Sequence, residues 1–300
     1  SRPRPGVDRV DTRGASPAAT AQGGGRTMEP TRWLIQFVVW SFAGFGLVLF
    51  VLQIGLRELG YWIGHRKRIR SEAMPENVGV IVGSMLGLLG FVLALTLNFA
   101  SSRYADRQNG TLAEANAIGT AWLRAEAIGH PRGREIARLM EDYTRIRIDY
   151  VRASASGEAL GGASRRTGAI QTLIWGHMAA IAQERPDPLV GLLQNALNEA
   201  FDMSTAERFA FEKQLPPTLI WLLISMALLS MAALGYQLGL RGTPLRLMGT
   251  MLTAMWTLVM IVILDLASPR IGGIRTEVTV YEWTLKGFEG GIPIPPLPAR

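Results

Sequence analysis

Residues 78–102 read VGVIVGSMLGLLGFVLALTLNFASS, without one charged side chain. About 20 apolar residues, at 1.5 Å of rise each, cross the roughly 30 Å hydrocarbon core of a bilayer. A backbone inside lipid must satisfy its own hydrogen bonds, so this run is predicted to be a helix. It also carries a pattern. Gly79, Gly83, Gly87, Gly90, Ala94, Asn98, Ser101, Ala105 and Asn109 follow one another at steps of three or four. The steps make an 11-residue repeat of about 3.67 residues per turn, so the stripe holds one face of a nearly straight helix. Every member is small or carries a short polar side chain, and the stripe extends over about 45 Å. Two readings stay open. Small residues let helix backbones approach closely in lipid, or the face borders a narrow axial space wetted at Asn98, Ser101 and Asn109. The two agree if helices pack around an axis in a homo-oligomer.

Working outward, residues 33–56, 215–240 and 247–264 are equally free of charge, the last closed by Arg246 and Asp265. Four such runs in 300 residues exclude a soluble protein with one buried helix. Trp33, Trp62 and Trp221 stand near the ends of runs, where an amphipathic ring suits the headgroup level. Composition agrees: 48% of residues are hydrophobic and 18% charged, against about 25% charged in soluble domains. Residues 1–27 are rich in Gly, Ala, Pro, Ser and Arg and read as a disordered tail, with Met28 a candidate initiator. Residues 293–298 are Pro-rich and read as extended.

Residues 101–216 hold 14 basic and 14 acidic side chains, an ordinary water-facing composition. The pattern is helical. Residues 105–128 continue from the second span without a breaker, and Gly129-His130-Pro131 ends that helix and starts the next. Ile136, Leu139, Met140, Tyr143, Ile146 and Tyr150 form one apolar face. Residues 155–164 read as a Gly/Ser loop and 167–184 as a helix. Asp187-Pro188 reads as an N-cap with proline at the first helical position, and Ser204 with Glu207 as a capping box.

The chain has no cysteine, which excludes disulfides, thiolate metal sites and a cysteine nucleophile. Phosphate-binding loops, a nucleophile elbow and zinc-binding histidine spacings are absent from the sequence. His65, His130 and His177 are far apart. No metal site, no cofactor and no enzymatic activity is expected. The net charge of +7 is almost all arginine. Its placement beside the spans points to a bilayer and not to nucleic acid. At the ends of the second and fourth spans stand Arg103, Arg107 and Asp265. An acid closing a helix opposes the helix dipole, so Asp265 is expected to pair with Arg103, Arg107 or Arg270. Glu114 and Asn116 lie further along the extended second helix and read as either solvated or interhelical polar contacts.

His65, Arg66, Lys67, Arg68 and Arg70 follow the first span, and Arg241 and Arg246 follow the third. Basic short loops mark the cytoplasm, which would leave both termini and the helical domain outside it.

The segment EANAIGTAWLR at residues 114–124 resembles the hallmark of a bacterial family of membrane proteins with a bestrophin-like domain. The glycine-rich helix running into Ser102-Arg103-Tyr104, the basic segment 65–70, and Asp265 with Pro269 and Gly272 are similar too. The resemblance spans residues 33–281. It implies a bacterial cell-membrane protein of four spans, kin to pentameric anion channels whose second helix lines the pore. It also implies termini and domain in the cytosol, the reverse of the orientation from the loop charges.

The expected fold is all-α: a polytopic membrane protein with four transmembrane helices as two hairpins flanking a helical domain. The expected divisions are a tail at 1–32, hairpins at 33–102 and 215–268, a helical domain at 103–214 and a tail at 269–300. The expected function is an oligomeric ion channel, anions preferred, with the second span lining the path. The alternative is a non-conducting scaffold or sensor that uses the helical domain to bind partners.

Overall fold

The computed structural model describes residues 42–70, 77–153, 157–213 and 215–293. The disordered tail expected at 1–27, Met28, Trp33, the start of the first span and residues 294–298 lie outside them. The described elements are all helices: α1 (Phe42–Arg70), α2 (Val78–Ala127), α3 (Pro131–Arg152), α4 (Gly157–Glu184), α5 (Pro188–Glu212), α6 (Pro217–Arg241), α7 (Arg246–Ala267) and α8 (Thr279–Phe288). Four helical stretches are long and apolar enough to cross a membrane.

The organising rod is α2. It holds 50 residues, about 75 Å at the standard rise. No proline falls between residues 78 and 130 to break it. It ends where expected: Gly129 takes a φ of +67°, and His130 caps α3 through Nδ1, which accepts from Arg132 N at 3.1 Å. The membrane half of α2 packs into a core with α1, α6 and α7 through Leu89, Leu93, Phe45, Ala227 and Met260. The outer half joins a second core with α3, α4, α5 and α8 through Ile118, Trp122, Met140, Ile174 and Leu193. One helix thus belongs to both the bilayer bundle and the domain.

Within the bundle, α1 and α6 run parallel at backbone contact. A Cβ on Gly60 would overlap Ala232 O, on Gly64 Tyr236 O, on Gly235 Arg57 O, and on Gly239 Tyr61 O. Lipid supplies no hydrophobic drive between helices, so close van der Waals approach over small residues holds them together. The parallel register brings the basic end of α1 beside Arg241 and Gly242, where Arg68 abuts Gly242. The two basic segments therefore share one end of the bundle, and the helical domain occupies the other. Threonines in the spans donate back to their own helices, as Thr96 does to Val92 O at 2.7 Å and Thr253 to Gly249 O at 2.7 Å.

Four local expectations are corrected. Residues 65–70 are the last turns of α1, not a loop. Residues 157–164, read as loop, are helical: Gly161 and Gly162 are carried by the burial of Ala163, Thr167 and Ile170 further along α4. Ser204 and Glu207 do not cap a helix; they lie inside α5, where the same three-residue spacing occurs on any turn. Residues 279–288 are not tail but α8, which inserts Tyr281 and Phe288 into the domain core. Asp187 does cap α5, accepting from Val190 N at 3.1 Å.

Candidate functional site

The stripe on α2 has little within its own protomer to meet. A Cβ added at Gly83 or Gly87 finds nothing within 4 Å. Ala94, Asn98, Ser101, Ala105 and Asn109 are exposed. Only one end and the middle meet the bundle: a Cβ on Gly79 would approach Gln237, and a Cβ on Gly90 would lie 3.2 Å from the Trp256 ring. The buried positions Leu89, Leu93, Ala100 and Arg107 lie roughly a third of a turn away on the helix. The glycines that meet a neighbouring backbone are on α1 and α6; on α2, Gly83 and Gly87 are left open.

Arg103 and Arg107 point elsewhere. Both fall on the side of α2 away from the stripe. Arg103 is half-buried and lies over the Phe99 ring at 4.7 Å. Arg107 is 1% exposed, and its Nη2 donates to Leu266 O at 2.7 Å. That carbonyl belongs to the last turn of α7, so the guanidinium faces the negative end of a helix dipole. Asp265 does not pair with either. It accepts from Gly273 N at 3.0 Å and Ile274 N at 3.3 Å, and forms no ion pair among the described residues. The expected arginine partner is replaced by backbone N–H groups because Gly272, at a φ of +103°, folds the chain back over the carboxylate. Arg270 instead donates to Tyr150 O and Ala153 O at 2.8 and 3.0 Å, tying the end of α7 to the end of α3.

Glu114 is the centre of a buried polar cluster, while Asn116 is exposed. Arg147 on α3 grips Glu114 with two bonds, Nε to Oε1 at 2.6 Å and Nη2 to Oε2 at 3.1 Å. The same Nη2 donates to Glu207 on α5. Tyr281 on α8 lies against both carboxylates, 2.6 Å from Glu114 Oε2 and 3.1 Å from Glu207 Oε2. Tyr143 donates to Glu114 Oε1 at 3.2 Å, and Gln171 reaches Tyr143 and Ser204 from α4. Five helices meet here with no water access: Glu114, Glu207, Tyr143 and Tyr281 are fully buried. Burial first, then the charge of Glu114, pushes the Glu207 carboxyl up to about 8. Burial pulls the Arg147 guanidinium down, but the two carboxylates outweigh it and hold it well above its ordinary value. Burial and the neighbouring carboxylates raise Tyr281 as well. Of this set, only Glu114 was expected as a candidate. The signal for Glu207 was its place in a helix, which a capping-box reading obscured.

A second polar layer lies in the bundle between α1 and α7. Gln53 Nε2 donates to Thr257 Oγ1 at 3.0 Å, and Arg57 donates to Thr250 Oγ1 at 3.3 Å and Glu58 Oε1 at 3.1 Å. Gly249 leaves room for the Arg57 guanidinium; a Cβ there would lie 2.6 Å from Nη1. The charge-free reading of the first span ended at residue 56 and missed this pair. Among the described residues, no group of acidic and histidine side chains is arranged to hold a metal.

With this geometry in view, the similarities of the chain can be placed. A family model described as the bestrophin-like domain matches residues 51–281. A bacterial bestrophin homologue from Klebsiella pneumoniae, carrying a tyrosine-to-alanine mutation, is similar at a TM-score of 0.60 and 14% identity, over 80% of this chain and 97% of that one. The homologue from the same organism solved with zinc phasing is similar at 0.58 and 14%, over 82% and 99%. A membrane protein with a glycine-to-alanine mutation is similar at 0.59 and 16%, over 81% and 99%. Likeness at this identity shows the fold alone. No curated protein matches the chain. The family model covers most of the chain, from within α1 to Tyr281 of the buried cluster, and the chain therefore belongs to the bestrophin-like family of membrane proteins.

Proposed function

We propose that this protein is an oligomeric ion channel of the bacterial cell membrane in which α2 of each copy faces a shared axial path. One observation carries the reading: the small-residue stripe is open in the protomer at Gly83, Gly87 and from Ala94 to Asn109, while the backbone-to-backbone packing of the bundle is done by glycines of α1 and α6. An open stripe of this regularity suits neighbouring copies and water better than acyl chains, because Asn98, Ser101 and Asn109 need hydrogen-bond partners. Anions are the preferred ions. A side-chain filter for cations needs a ring of acidic groups, and the stripe has none. Arg103 and Arg107 contribute only through their field, since neither side chain reaches the stripe. Purified protein in liposomes is expected to pass chloride, with a reversal potential that follows the chloride gradient. Liposomes that hold both chloride and potassium gradients unchanged would instead favour a membrane scaffold.

The basic end of the bundle, with Arg66, Lys67, Arg68, Arg70, Arg241 and Arg246, faces the cytoplasm under the same proposal. The domain and both termini then lie outside it. A reporter active only in the periplasm, fused after the last residue, is expected to be active. A silent periplasmic reporter with an active cytoplasmic one reverses the orientation.

A further inference from the structure

The Glu114–Arg147–Glu207–Tyr281 cluster is not needed by an axial path, and it stands whether or not the chain conducts. Two buried carboxylates share a single guanidinium. With both ionised, the cluster holds one uncompensated negative charge away from water, which is costly. Two carboxylates forced together resolve this by keeping one proton between them. Tyr281 closes the cluster from α8 and touches both acids with one hydroxyl. Besides Tyr281, α8 packs on the domain through Val280, Leu285 and Phe288 and pairs Glu282 with Arg152 at the surface. Phe288 stacks on Trp122 at 4.6 Å, while Trp283 is 67% exposed. Around Glu207, α2 presents Glu114 and α3 presents Arg147, Tyr143 and Tyr150. The segment after α7 adds Arg270, and α8 adds Tyr281.

We propose that α8 is a proton-linked latch: a proton on the Glu207 carboxyl keeps Tyr281 docked, and its loss frees α8 from the outer half of α2. Undocking removes the ring that covers the acids and lets water in, so the undocked state ionises as ordinary glutamates do. The sign follows. The docked state holds its proton up to about pH 8, whereas the undocked state releases it near the ordinary glutamate value. Docking is therefore strongest at acid pH and weakens as pH rises toward 8. Above 8 both states have lost the proton and the dependence ends. A single linked proton changes the opening constant by at most about tenfold per pH unit.

The test is hydrogen exchange of the α8 amides in the full chain, in lipid nanodiscs, corrected for the intrinsic pH dependence of exchange. Opening is expected to rise up to about tenfold per pH unit below about 8 and to level off above it. Glu207→Gln, whose amide donates as the protonated acid would, is expected to abolish that slope while α8 stays protected. Tyr281→Phe keeps the ring and loses the bridge, so α8 opens about tenfold more at acid pH. A wild-type profile that is flat from pH 5 to 9, or a Glu207→Gln profile with the wild-type slope, overturns the latch. The wild-type profile alone decides it if a variant fails to fold.

Discussion

Arg147 is the residue on which the domain most depends. It is the one guanidinium paired with two carboxyl groups that are buried away from water. Removing one partner of a buried ion pair costs about 3–5 kcal/mol because the other is left uncompensated. Here two acids would be stranded, so Arg147→Ala is expected to lower the thermal midpoint of the domain by many degrees, or to abolish folding, in detergent melts. Arg147→Met with Glu114→Gln and Glu207→Gln removes every charge together and is expected to recover most of that loss. A melt of Arg147→Ala that matches wild type would show that the cluster is solvated. At this scale the sequence was partly legible. Glu114 stood out by its place in the 114–124 segment, but its partners come from α3, α5 and α8, 29 residues away at the nearest. Spacing along a chain carries no record of such meetings. Asp265 shows the same limit: helix-dipole reasoning asked for a cation, and a glycine turn supplied N–H groups instead.

The glycines of α1, α2 and α6 look alike in sequence and play different parts as elements. Gly235→Leu and Gly60→Leu would each drive a side chain into a facing backbone carbonyl, and helix backbones cannot yield without separating. Both are expected to destroy the monodisperse peak in size-exclusion chromatography. Gly83→Ala meets open space in the protomer and is expected to leave the thermal melt of the protomer within about 1 kcal/mol of wild type, helped by the better helix propensity of alanine. Equal loss from both substitutions would mean that the stripe packs within the protomer. The single length of α2, its end at Gly129 and the cap of α5 at Asp187 were readable because breakers and caps are local chemistry. The α1–α6 pairing was not. A four-residue spacing of glycines says that something comes close, never which helix.

At the scale of the whole molecule, α2 links a lipid-facing bundle to a water-facing domain through one unbroken rod. Large apolar side chains such as Leu47, Val51, Phe91, Leu95, Met251 and Leu258 point outward from the bundle because the bilayer is their solvent. The stripe lies beside that greasy surface yet carries Asn98 and Asn109, and the proposed function gives them neighbouring copies and water as partners. Crosslinking in detergent is expected to give a closed ring of copies with α2 innermost, and a strictly monomeric chain would leave the stripe without purpose. The cysteine-free sequence allows the most direct test. Cysteine is placed at Ala94 or Asn98 on the stripe and at Leu95 on the apolar flank. Each variant, reconstituted in liposomes, is treated with a charged, membrane-impermeant thiol reagent. Rapid modification at positions 94 and 98 with block of chloride flux, and protection at 95, is the predicted result. Protection of all three positions would contradict a water-filled path along α2.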